Sequence, residues 1–550
     1  MKNIRIAYYL LGAILLVGIL VRVYQYPDNP PGLNQDEASI AYDAYAVANY
    51  GVDRNGDAFP IHFLGWGNGQ SALYGYLIMP FIKLFGFSPA TTRIGNLLAG
   101  ILAIFFVFSL IKITGKIEFA LIGAVLTAVC PWGIMVSRWG PEASILPFVL
   151  LVAVYLYALA YKNPVFLPIS LIVFAATFYC YSTSYFFTPV FLLFLIYYAK
   201  HFFTGKKGYF KYMGLSLGLF ILASLPIGLF VLINIILKNA HAFRFLGITI
   251  TKLVQTGVRY QMFLLLSDWR HNIPGTLDLL ARNFQYYVGT VFLQEGNFLN
   301  VLGQFGNFYY FSTFFLLTGM FAAVFDWISA AKKKQFCLDS IIIVWFLVAS
   351  LLGILMETNP FRINVIFYTL YYFIAKGIYT TGQLIYTGLK LAFRSELVSR
   401  INKFAFYIIL GGFYLAGFFS FLNVYFRDYP GMTGVWFRDS FREAYLYAES
   451  IRGEHENLYI ADYDTGTIYV YVLYYGKIDP RYFKKNVIYT DPFSEWRPVS
   501  EFGPYKFLDN QEKLRNPEKN AVYLVYRDYT ASMPYCNNTK VFKNYSIYKY

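Results

Sequence analysis

Two adjacent carboxylates, Asp36 and Glu37, open the densest acidic cluster of the chain, with Asp43, Asp53 and Asp57 close behind. Such a pair has two physical uses. Just before residues 37–49, which read as a helix, Asp36 would cap free backbone N–H groups and Glu37 would be an ordinary first-turn acid. At a membrane surface the same pair offers a carboxylate base with a neighbour that orients it or shares its proton. Spacing alone leaves both readings open. The cations that could hold an anionic substrate are few. They are Arg93, Arg138 in Ser137-Arg138-Trp139-Gly140-Pro141-Glu142, Arg362 in Asn359-Pro360-Phe361-Arg362-Ile363-Asn364, and Arg270-His271. Each also has a plainer use: Arg138 as partner of Glu142, Arg362 as an anchor at the membrane boundary, Arg270 and His271 as headgroup contacts.

The elements that must position these residues are set by composition. Of 550 residues, 57% are hydrophobic and only 14% charged, against about a quarter charged in a soluble domain. Crossing a ~30 Å hydrocarbon core takes roughly 20 apolar residues. Eleven runs qualify as spans: 4–24, 90–111, 119–137, 143–161, 165–180, 185–199, 213–236, 308–330, 338–356, 365–386 and 404–425. The run 165–180 is the short one. The first lacks a small-residue cleavage site and reads as a retained anchor.

The net charge of +15 raises the question of a nucleic-acid partner. With the N-terminus inside, the inner segments hold sixteen cations and four acids, 12 of the 15 excess charges. That is the positive-inside signature of a membrane protein, so nucleic acid is excluded as the explanation. The span interiors are almost without ionisable side chains. Lys376 is the clear exception, and its stem is long enough to snorkel inward. A transporter would be expected to place such groups near mid-membrane, which moves the expected site to the outer face.

The expected architecture is a polytopic α-helical membrane protein of about eleven spans, N-terminus in and C-terminus out. Residues 1–426 form the membrane domain, with two long outer loops, 25–89 and 238–307, rich in aromatic and amphipathic segments that read as interfacial helices. Residues 427–550 form a small extracytoplasmic α/β domain, with strands at 457–461 and 521–526, a helix over 438–452 and a helix or strand over 465–475. Four scattered cysteines give no disulfide framework, and no His/Cys/Asp spacing indicates a metal. No cofactor is expected to be required. Trp66, Trp139 and Trp269 are candidate rings for stacking on a sugar, and His62 reads as a loop hydrogen-bonding residue.

The order of motifs carries more. After Asp36-Glu37 come Gly51-Val52-Asp53-Arg54-Asn55-Gly56-Asp57, then Gly69-Gln70-Ser71-Ala72-Leu73-Tyr74, then Gly86-Phe87-Ser88-Pro89-Ala90-Thr91-Thr92-Arg93, and the Pro141-Glu142 loop. This arrangement resembles the glycosyltransferase C superfamily, in particular the branch of protein O-mannosyltransferases and aminoarabinose transferases. The likeness is clearest over residues 4–199.

The resemblance implies a sugar carried on a polyprenyl phosphate and transferred with inversion, on the outer face of a cell membrane, to a glycan, lipid or protein. The expected location is a bacterial plasma membrane, with membrane lipids as surroundings. Asp36 matches the family's catalytic acid and Glu37 its paired acid. Arg93 matches an arginine that holds the active site or the lipid phosphate, with Arg138 and Arg362 as further phosphate candidates. Gln70, Tyr74, Glu142, Arg270 and His271 are the expected substrate contacts. One departure stands out: family members often place Lys or His before a Pro-Pro-Leu segment, where this chain has Gln70-Ser71-Ala72-Leu73, which removes a phosphate-contacting cation. Two other classes fit the topology: a flippase of lipid-linked saccharides, and an enzyme that polymerises or ligates lipid-linked glycans.

Overall fold

A computed structural model describes residues 2–66, 69–203, 208–237, 241–254, 272–464, 466–494, 496–508 and 511–550. In chain order the helices are Lys2–Val23 (α1), Gln35–Tyr50 (α2), Leu73–Phe85 (α3), Pro89–Lys112 (α4), Ile117–Val129 (α5), Pro131–Met135 (α6), Leu146–Ala160 (α7), Phe166–Thr177 (α8), Ser184–Phe203 (α9) and Tyr209–Val231 (α10). They continue with Ile273–Val291 (α11), Ser312–Lys332 (α12), Leu338–Leu355 (α13), Phe367–Phe393 (α14), Glu396–Arg427 (α15), Tyr429–Thr433 (α16), Phe441–Ile451 (α17), Tyr469–Gly476 (α18) and Pro480–Asn486 (α19).

Each of the eleven apolar runs holds a helix. Among the described residues seven helices are long and apolar enough to cross a membrane: α1, α4, α7 with the turn before it, α10 with the turn after it, α12, α13 and α15. The chain is a polytopic helical membrane protein. Two of the other runs fall short of full-length spans for local reasons. In 119–137 the helix stops at Cys130, whose backbone is extended (φ −73°, ψ 141°), and Pro131 starts the short helix α6. In 165–180 the helix α8 has only 12 residues, about 18 Å of rise.

The bundle is held by close backbone contact and by buried arginines. A Cβ at Gly319 of α12 would lie 1.8 Å from the Phe373 carbonyl oxygen of α14, and one at Gly377 would lie 2.0 Å from that of Phe315. Only glycine permits that approach. The wholly buried Arg22 of α1 donates to the carbonyls of Gly18, Thr127, Ala128 and Gly133, and so closes the broken end of α5. Lys376 of α14 does not reach out alone: its ammonium lies 2.7 Å from Asp326 and 2.6 Å from Asp339. Those acids belong to α12 and α13, beside the connection that carries Lys332, Lys333 and Lys334.

Beyond α15 lies a mixed sheet of seven strands. In chain order the strands of the protein are His62–Phe63 (β1), Gln70–Ser71 (β2), Phe243–Phe245 (β3), Ile248–Ile250 (β4), Asn457–Ala461 (β5), Ile488–Tyr489 (β6), Val499–Phe502 (β7), Tyr505–Leu508 (β8), Ala521–Tyr526 (β9), Thr539–Val541 (β10) and Tyr545–Lys549 (β11). The large sheet runs β10-β11-β9-β5-β8-β7-β6, with β5 parallel to both its neighbours. Alternation sorts its faces. Leu458, Ile460, Val522 and Leu524 join the main core with Phe441, Ala444 and Tyr445 of α17, while Tyr459, Tyr523 and Val525 form a separate cluster on the other face.

The sheet unit is bound to the first outer loop. The Leu33 amide donates to the Phe437 carbonyl at 2.7 Å. Gly32 sits there at φ +68°, and a Cβ on it would meet that same carbonyl oxygen at 2.1 Å, so both conformation and space require glycine. The amphipathic segments expected at the outer interface are therefore partly covered: α2 buries Ala38–Ala44 almost continuously and packs against α18.

Candidate active site

The site is built at the first turn of α2. Asn34, not Asp36, is the N-cap: its side chain accepts from the Asp36 amide at 3.0 Å, and Glu37 reaches back to the Asn34 amide at 2.9 Å. This is a reciprocal capping box. It corrects the capping alternative for Asp36 and releases its carboxylate from that duty. The sequence signal was present as Asn34-Gln35-Asp36-Glu37, an N-cap residue with Glu three positions on.

Asp36 is half-buried, and Trp66 donates its indole N–H to Asp36 Oδ1 at 3.1 Å. Behind it, Gln70 donates to the Asp36 carbonyl at 3.2 Å and to Glu142 Oε2 at 3.4 Å. Gln70 is fully buried, and its own Oε1 accepts no hydrogen bond. Asp36, Gln70 and Glu142 are thus drawn together from α2, β2 and the turn before α7.

Glu37 is wholly buried. It accepts from Arg93 Nε and Nη2, both at 2.9 Å, and from the Gly140 amide at 2.6 Å. Arg93 uses its remaining N–H groups on the carbonyls of Pro27, Pro30 and Gly32. All five donors of the guanidinium are engaged, and none points to a bound anion. Expected to hold either the active site or the lipid phosphate, Arg93 is tied to Glu37 and the turn that leads into α2.

Arg138 likewise departs from both of its expected uses. It does not pair with Glu142. It is fully buried and donates to the carbonyls of Val21, Arg22, Gln25 and Asn29, closing the end of α1. Tyr74 is buried and donates to the Thr92 carbonyl at 2.8 Å. Its hydroxyl lies beneath Gly140, so it packs the Glu37 pocket from below.

Arg362 is the phosphate candidate that keeps donor capacity. Its Nη1 bonds the Glu357 carboxylate at 2.9 Å and the Glu357 carbonyl at 3.1 Å, and about 31% of the side chain is exposed. Its neighbour Phe361 packs on Trp139, and Asn364 donates to the Ala143 carbonyl, next to Glu142. Arg270, His271 and Trp269 lie outside the described residues. Trp139 is buried between Phe361 and Phe437, and His62 is buried against Phe230.

Two further residues shape the loop. Arg54 forms a buried pair with Asp43, with Nε–Oδ1 at 2.9 Å, and also donates to Ser39. Asp53 is buried with one carboxylate oxygen bonded to the amides of Asn55 and Asp57 and the other unpartnered. Desolvation, reinforced by Asp43 and Asp57, pushes its carboxyl up to about 8.

Comparison with known proteins bears on the fold. A family model described as dolichyl-phosphate-mannose-protein mannosyltransferase matches residues 70–227. ArnT from Cupriavidus metallidurans in the apo state is similar in structure with a TM-score of 0.53 at 12% identity, over 100% of this chain and 98% of that one. The same protein bound to undecaprenyl phosphate gives 0.51 at 12% identity, over 98% and 97% of the two chains. The archaeal oligosaccharyltransferase AglB from Archaeoglobus fulgidus, in complex with an inhibitory peptide and a dolichol-phosphate, gives 0.50 at 13% identity over 85% of this chain. The chain spans 63% of that protein's length. No curated protein matches in sequence. The chain has the glycosyltransferase C fold. Within it, the stretch from β2 into α10 is the part that matches the mannosyltransferase family.

Proposed function

We propose that the protein is an integral-membrane glycosyltransferase that moves a sugar from a polyprenyl-phosphate donor to an extracytoplasmic acceptor, with inversion. The observation that carries this reading is the different treatment of the two acids. Glu37 is locked by Arg93, Gly140 and Asn34, whereas the half-buried Asp36 accepts the Trp66 indole N–H and leaves the helix cap to Asn34. Asp36 is the base. It takes the acceptor hydroxyl's proton as that oxygen bonds to the anomeric carbon and the bond from carbon to phosphate oxygen breaks. The leaving group departs as a phosphate, so it needs cations and no acid. Glu37 and Arg93 act through Asp36 as positioning residues. Arg362 is the phosphate-side cation on the described residues, with Arg270 and His271 as further candidates.

The topology follows the charge: N-terminus inside, eleven membrane helices over residues 1–426, and residues 427–550 outside as an α/β domain. The site then faces outward, in the plasma membrane of a bacterium.

The test is Asp36→Asn in full-length protein, with membrane insertion confirmed, assayed for transfer from a panel of labelled polyprenyl-phosphate sugars. Transfer by the parent and its loss in the variant supports the reading. Undiminished transfer by the variant removes Asp36 from the mechanism.

A further inference from the structure

The sheet unit sends one aromatic side chain to the flank of Asp36. Trp66, whose N–H holds Asp36, has its ring centroid 6.0 Å from that of Trp496, at an interplanar angle of 49°. Trp66 is 4% exposed, but Trp496 is 49% exposed. A large apolar ring of an extramembrane unit is thus one ring away from the proposed base, with half its surface uncovered. An indole joins an apolar face to a polar N–H, the combination that suits a surface contact with one apolar and one wet side.

Trp496 is held. It lies on the turn between β6 and β7, closed by the Thr490 amide on the Pro498 carbonyl at 2.8 Å. Its neighbour Arg497 adopts φ +47°, a conformation costly for a residue with a side chain. Arg497 donates to Asn55 Oδ1 at 3.2 Å and lies 4.5 Å over the Tyr489 ring. Asn55 in turn donates to the Leu64 carbonyl at 3.0 Å, two residues before Trp66. Further bonds join the same two units: Tyr469 donates to the Gly65 carbonyl, and Thr467 to Gln35 Oε1 beside Asp36. The sheet unit is therefore pinned to both sides of the Asp36 turn.

We infer that Trp496 is the acceptor-side platform of the site and that the acceptor is a saccharide whose pyranose ring stacks on its exposed face. This rests on the proposed role of Asp36. The chemistry that suits a half-bare indole beside a base is a ring with polar edges and a C–H face. The partly positive C–H bonds meet the negative face of the indole, while the hydroxyls remain directed at hydrogen-bonding groups. A hydroxyl of the same ring is then the nucleophile presented to Asp36. A free serine or threonine acceptor offers no such face.

The inference is tested by saturation-transfer NMR on the full-length protein in nanodiscs, with methyl α-mannoside, chitobiose and maltotriose as probes. The parent is expected to bind at least one. Trp496→Ala should weaken that binding tenfold or more, and Trp496→Phe should restore most of it, which loss of folding in the alanine variant would not explain. Asp36→Asn should bind the saccharide as the parent does, so loss of transfer in that variant tests the base separately. Binding by Trp496→Ala equal to the parent, or transfer to none of the three probes, overturns the inference. So does quenching of the Trp496 emission by phosphatidylcholine with brominated acyl chains, read as parent minus Trp496→Phe, because it would place the ring inside the bilayer.

Discussion

Arg93 and Glu37 form a two-bond pair, Nε to Oε1 and Nη2 to Oε2, each 2.9 Å, with both side chains fully buried. The pair joins α4 to the first turn of α2, and three carbonyls of the turn before it complete the arginine's coordination. Breaking a buried pair from one side leaves an uncompensated charge, at a cost of about 3–5 kcal/mol. Arg93→Ala is therefore expected to lower the thermal midpoint of the purified protein strongly. Arg93→Lys should recover little of it, because a single ammonium cannot replace the planar fork. A variant with normal stability and only a raised donor KM would instead mean that the guanidinium serves the phosphate.

Asn34 decides where Asp36 points. Asn34→Ala removes the side-chain acceptor at the Asp36 amide but leaves the Glu37 bond to the Asn34 amide in place. A lost N-cap costs about 1 kcal/mol. The expected outcome is a small drop in stability together with a larger fall in kcat, since the first turn then positions the base less well. The measurement is thermal unfolding beside a kcat and KM split. Equal, small effects on both would show the cap to be structural only.

The parts of this molecule that could be read in advance are those governed by local pattern. Strands β5 and β9 begin and end where the short apolar runs 457–461 and 521–526 begin and end, and the helix read over 37–49 is α2. The Asp36–Glu37 pair and the Glu142 loop stood out by type and spacing. The roles of Arg138 and Arg22, and three of the five bonds of Arg93, did not, because the partners there are backbone carbonyls, and a carbonyl has no residue identity for a sequence to reveal. An arginine that closes a helix end and one that binds a phosphate look alike until the fold supplies the acceptors. The capping box at Asn34 was legible but masked by the more conspicuous acid two residues later.

That distinction gives a paired prediction for Arg138 and Arg362. Arg138 is fully buried on four carbonyls, so Arg138→Gln is expected to reduce stability and yield without a specific change in donor KM. Arg362 is partly exposed and, among the described residues, its side chain bonds Glu357 alone. Arg362→Gln is expected to leave the thermal midpoint nearly unchanged and to raise donor KM about tenfold, the scale of one charge-assisted contact to phosphate. Steady-state kinetics on both variants, beside unfolding curves, checks it. A normal donor KM in Arg362→Gln would leave the phosphate to Arg270 and His271.

Asp53 gives the first outer loop a pH dependence whose sign follows from its surroundings. Burial, then Asp43 and Asp57, raise its carboxyl to about 8 in the folded protein, against ~3.9 in an unfolded chain. Asp57 is raised as well, again by burial first. Below pH ~4 Asp53 is protonated in both states and carries no penalty. Between ~4 and 8 the unfolded chain releases the proton while the folded loop keeps it, so stability falls as pH rises across that window. Arg54 does not cancel this, because its guanidinium is committed to Asp43 and Ser39. The parent is expected to unfold at lower temperature at pH 8 than at pH 5. Asp53→Asn, neutral throughout and nearly the same shape, should flatten the profile and gain most at the alkaline end. Thermal midpoints of both proteins from pH 4.5 to 8.5 measure it, and parallel profiles would mean that Asp53 is ionised in the folded loop.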